Sequence, residues 1–121
     1  MATLLVNTGK AIVTSRLNSG GTIPQYVAWG TGAGTTGATD TTLFTEVTPR
    51  VSGTTSQVTT STTNDTFQVV GTQTAGTSET ITNAGLFDAS TSGNLFVKGD
   101  FTGIPLNTSD SIQFTFKVQF S

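Results

Sequence analysis

The chain has 121 residues, enough for one domain with a modest core and too few for two domains that each bury their own. Hydrophobic residues make up 34% and charged residues 10%, with Thr, Ser and Gly filling the gap, and the formal charge is only −2. That excludes the highly charged disordered class and gives no basic stripe for nucleic acid, while the absence of Cys and His removes disulfides, the usual zinc sites and the commonest general base.

Taken in chain order, the first residues show neither a basic n-region with an apolar run nor, later, the roughly 18 apolar residues of a membrane span. The expectation is synthesis and residence in a cytoplasm, with no membrane partner. Leu4, Leu5 and Val6 are apolar, strand-like and isolated, so residues 1–7 read as an arm that adds to a partner's sheet edge. Residues 8–17 are the best helix candidate, with Ala11, Ile12 and Leu17 inward and the Gly20-Gly21 pair ending it. Residues 25–29 follow as a strand carrying Tyr26 and Trp29, the only two residues of their kinds, as an interface anchor or a sugar-stacking platform. A second, one-turn helix is expected at residues 41–47 with Asp40 as its N-cap.

Thr is β-branched and suits a pleated, half-exposed surface, so the remainder reads as short strands joined by turns. Residues 50–76 form a hairpin about Asn64-Asp65, with a Thr-rich stretch at 59–63 that offers no hydrophobic side and so projects into solvent or is covered by a neighbour. Residues 79–87 and 94–98 are strands joined by the turn formers of 88–93. The last strand is the clearest: Ile112, Phe114, Phe116, Val118 and Phe120 alternate with Gln113, Thr115, Lys117, Gln119 and Ser121 without exception. The fold class that follows is all-β, an antiparallel β-sandwich or barrel-like single domain over residues 1–121, with one or two short helices in the N-terminal half.

Chemistry finds little to work with. Gly32-Ala-Gly-Thr-Thr-Gly37 matches G-x-G-x-x-G after a strand, but the crossover helix, second parallel strand and acidic residue of a dinucleotide fold do not follow, so the loop reads as structural. The carboxylates Asp40, Glu46, Asp65, Glu79, Asp88, Asp100 and Asp110 lie mostly beside turn formers and lack calcium-loop spacing, and no Ser has a base. The expectation is no enzyme, no cofactor and no metal.

Two stretches carry a resemblance: Ala28-Trp-Gly-Thr-Gly-Ala-Gly-Thr35 followed by Asp40-Thr-Thr-Leu-Phe-Thr-Glu46 and Arg50, then Ile81-Thr-Asn-Ala-Gly-Leu-Phe-Asp-Ala89 with Gly93-Asn-Leu-Phe96 and the closing Phe strand. Together they span nearly the whole length and resemble small virion proteins of tailed bacteriophages, both capsid decoration (cement) proteins and tail-fibre or collar modules. In such proteins an acidic residue is common where this chain has Asn83. The resemblance implies a virion protein whose thin core is completed by neighbours. The length leans to cement: a small homo-oligomer, for instance a trimer, on the capsid exterior, binding the major capsid protein and clamping it against internal DNA pressure. The alternative is a tail-fibre, collar or receptor-binding module that contacts host glycans through Tyr26 and Trp29.

Overall fold

The computed structural model describes residues 3–18 and 20–120. Eight strands and one helix follow one another as β1 (Thr3–Leu5), α1 (Asn7–Leu17), β2 (Tyr26–Gly30), β3 (Glu46–Ser52), β4 (Thr54–Val58), β5 (Thr66–Thr74), β6 (Glu79–Phe87), β7 (Leu95–Leu106) and β8 (Ser111–Gln119). They form two antiparallel sheets, one of five strands in the order β1-β7-β6-β2-β3 and one of three in the order β4-β5-β8. The domain is an all-β sandwich.

The first of the three crossings between the sheets is a corner at a single residue. β3 ends at Ser52 and β4 begins at Thr54, and between them the Gly53 N–H donates to the Gln25 carbonyl at 2.7 Å as the chain passes from one sheet to the other. A side chain is excluded there, since a Cβ on Gly53 would lie 2.5 Å from Val69 Cγ1.

The core between the sheets follows from strand alternation. Val27 and Trp29 leave β2 on the inner face, Leu86 and Ala84 leave β6 on the same side, and Val69 of β5 meets them from the smaller sheet. Ile112, Phe114, Phe116 and Val118 of β8 pack against these clusters but stay half-buried, as their alternation in the sequence predicts. Trp29 meets the Phe114 ring edge-on at 6.4 Å between centroids, and such a pair adds about 0.5–1.5 kcal/mol beyond burial.

The outer face of the five-stranded sheet is covered too. The long connection of residues 31–45 lies over it and supplies Leu43 to a cluster with Val6, Ala28, Phe87 and Leu95. The Gly-rich loop belongs to this cover: a Cβ on Gly34 would sit 2.7 Å from the Phe44 ring, so the glycine admits the ring rather than a phosphate.

Three expectations are corrected and one is narrowed. Residues 41–45 are not helical, because the Asn83 side chain captures both the N–H and the carbonyl of Phe44, and Thr45 takes φ 51°. In α1 the stripe toward the sheet is Gly9, Ile12, Val13 and Arg16, so Ala11 and Leu17 point outward. The narrowed expectation is the polar stretch 59–63: within this chain it is an exposed turn, and the strands on either side of it belong to the sandwich. Residues 3–5, expected to reach a partner, instead pair with β7 of their own chain, Leu4 opposite Lys98 and Leu5 opposite Val97. The first two residues of that expected arm lie outside the described residues.

Candidate interaction surface

The residues that carry the family-like pattern turn out to lock the fold. Lys98, on the outer face of β7 and 1% exposed, donates from Nζ to Asp40 Oδ2 at 2.8 Å and lies 3.3 Å from the centroid of the Phe44 ring. That hydrogen bond, followed by one from the Gly37 N–H, holds the Asp40 carboxyl below the usual carboxylate range. Asp100 two residues along accepts from the Thr36 N–H at 2.9 Å, so one strand pins the covering loop twice.

Asn83 is wholly buried and behaves as a substitute peptide group. Its Oδ1 accepts from the Phe44 N–H and its Nδ2 donates to the Phe44 carbonyl, both at 3.0 Å. Glu46 and Arg50 form a two-pronged pair along β3, at 2.7 and 3.1 Å. The same guanidinium donates to the Ala89 and Ser92 carbonyls and lies 3.6 Å from the Phe87 ring centroid, clamping the β6–β7 turn. Within that turn Asp88 accepts from the Asn94 N–H at 2.7 Å. These acids are engaged in holding loops.

Asp65 does the same for the β4–β5 turn. Its carboxylate accepts from the N–H groups of Thr60, Ser61 and Thr62, and these bonds, Thr62 and Thr60 foremost, hold its pKa far below the usual range. Among the described residues no group of three or more acidic side chains is gathered to hold a metal ion.

The expected contact residues are placed differently. Val6 is fully buried, Leu4 and Leu5 are half-buried in β1, and Trp29 is 2% exposed in the core. Tyr26 and Trp29 are three apart on β2, so they leave opposite faces of the strand and share no platform. Tyr26 packs half-buried beside the outer cluster.

Among the described residues, three of the four exposed large hydrophobics are concentrated in one place, Ile104 on β7 being the fourth. Leu17 at the end of α1, Ile23 in the following connection and Phe120 after β8 are 83%, 51% and 51% exposed. They rim an open groove of about 380 Å³ whose floor includes Ile12, Val13 and Phe67. Two of them arrive for separate reasons: Leu17 lies off the buried stripe of α1, and Phe120 follows the end of β8, where its N–H bonds to the Asp65 carbonyl. Sequence reasoning missed this groove, because its parts come from three distant stretches whose only individual signal is an apolar residue at the end of an element.

A model of the family described as podophage GP4 fiber I protein gp80 matches residues 16–118. No curated protein and no solved structure matches the chain.

Proposed function

The chain belongs to the podophage GP4 fiber I protein gp80 family and is thus a structural protein of a tailed-phage virion, and from that premise we propose that it is a building block of a tail fibre. It works through surfaces it shares with other subunits and performs no reaction of its own. The observation that carries the fibre assignment is the family match over residues 16–118.

The geometry supports a contact protein. The acids and bases with family-like spacing serve loop closure, and three of the four exposed large hydrophobics, Leu17, Ile23 and Phe120, meet at one groove. Cement on the capsid exterior, favoured by chain length alone, has no such support from the family. Copy number in purified virions tests the choice. A fibre subunit is present at a small multiple of the tail's own symmetry, whereas stoichiometric amounts relative to the major capsid protein would return the chain to the capsid lattice.

A further inference from the structure

The four sheet edges of this sandwich are not equally protected against pairing. β1 is three residues long, β3 contains Pro49 and the Glu46–Arg50 pair, and β7 beyond β1 contains Pro105, all devices that blunt an edge. β4 is five residues long. β8 has none of these features: it holds nine consecutive pairs with β5 without a register shift, and it contains no Pro, no Gly and one charge, Lys117. Among the described residues no strand lies on its other side.

The order of residues along β8 says which strand fits there. About Thr115 the sequence Ser-Ile-Gln-Phe-Thr-Phe-Lys-Val-Gln reads alike in both directions by chemistry. In an antiparallel pair of two β8 strands centred on Thr115, Phe114 faces Phe116 of the other copy, Ile112 faces Val118, and Gln113 faces Lys117. Apolar groups would meet apolar groups on the inner face, where Ile112, Phe114, Phe116 and Val118 are only half-buried. The lone lysine would meet an amide rather than its own kind. Cross-strand pairs of this type stabilise a sheet, and like charges in direct opposition destabilise it.

We infer that β8 pairs antiparallel with β8 of a second copy of this chain across a two-fold axis at Thr115, joining two three-stranded sheets into one of six. The contact is isologous, so it closes at two copies and leaves the apolar groove free for a different neighbour. It rests on the reading of the chain as an assembly subunit. Its test uses the isolated full-length chain, so its failure is distinguishable from a wrong location in the virion.

At roughly 100 μM the chain should sediment with the mass of two copies. Thr115→Lys places two like charges opposite each other from an exposed position, and should return the mass to one copy with the circular dichroism unchanged. Because the chain has no Cys, Thr115→Cys supplies an independent readout: mild oxidation should link two copies within the dimer. Thr72→Cys, exposed on the neighbouring β5, should not link them. A single-copy mass for the parent chain, a two-copy mass that survives Thr115→Lys, or cross-linking at Thr72 as fast as at Thr115 would each overturn the inference. Should Thr115→Lys fail to fold, the comparison of the two Cys variants decides.

Discussion

Asn83 both donates to and accepts from Phe44, using the separate nitrogen and oxygen of its amide, which an ionised carboxylate cannot do. Asn83→Asp keeps the acceptor, loses the donor and buries a carboxylate, so it should destabilise the domain by about 1–3 kcal/mol in urea titrations. An unchanged midpoint would show that the covering loop does not depend on this clamp. Lys98 and Asp40 make the second residue-scale case. Asp40→Asn leaves a buried ammonium without its counter-charge, a loss of several kcal/mol for a fully buried pair and about 1–3 kcal/mol here, because Asp40 retains 24% side-chain exposure. The pH dependence has a definite sign. The Asp40 carboxyl titrates lower in the folded chain than its ordinary 3.8, so its contribution is present above that value and fades as pH falls through and below it. Asp65 acts in the same direction. The parent chain should therefore lose stability as pH drops below about 4, and Asp40→Asn should lose less over the same interval.

At the scale of elements, α1 is docked by backbone proximity rather than by a broad apolar stripe. A Cβ on Gly9 would lie 2.2 Å from the Phe96 carbonyl oxygen, so Gly9→Ala should push the helix off β7 and cost about 1–3 kcal/mol, read as a lowered thermal midpoint. If Gly9→Ala is as stable as the parent, the helix is not seated as described. The β4–β5 turn depends on Asp65, and Asp65→Ala should make residues 59–65 a site of fast proteolysis while the sheets persist. β6 was legible in the sequence to the residue and α1 and β8 to within two, because 79–87 is bounded by turn formers, 8–17 ends at a glycine pair and the final strand alternates without exception. The helix expected at 41–47 was not found because its fate is decided by Asn83, some 39 residues away, and local propensity carries no trace of such a contact. Trp29 and Tyr26 were read as neighbours because they are rare and close in sequence, whereas strand alternation parts them.

For the molecule as a whole, one economy stands out. Its charged and amide side chains at family-like positions hold loops to sheets, while the features left over are an unprotected nine-residue strand edge and an apolar groove rimmed by Leu17, Ile23 and Phe120. Leu17→Asp should leave stability within about 0.5 kcal/mol, since the side chain is 83% exposed, yet it should lower incorporation into particles. Normal incorporation of that variant would remove the groove from the assembly contacts. The thin core legible in the composition thus belongs to a domain closed by its own two sheets, with three of its four exposed large hydrophobics gathered at one groove. The central claim, a fibre subunit acting through contacts, is tested most directly by immunogold electron microscopy of intact virions with an antibody raised against this chain. The account predicts gold at the tail fibres with bare heads, and gold distributed evenly over the capsid would contradict it.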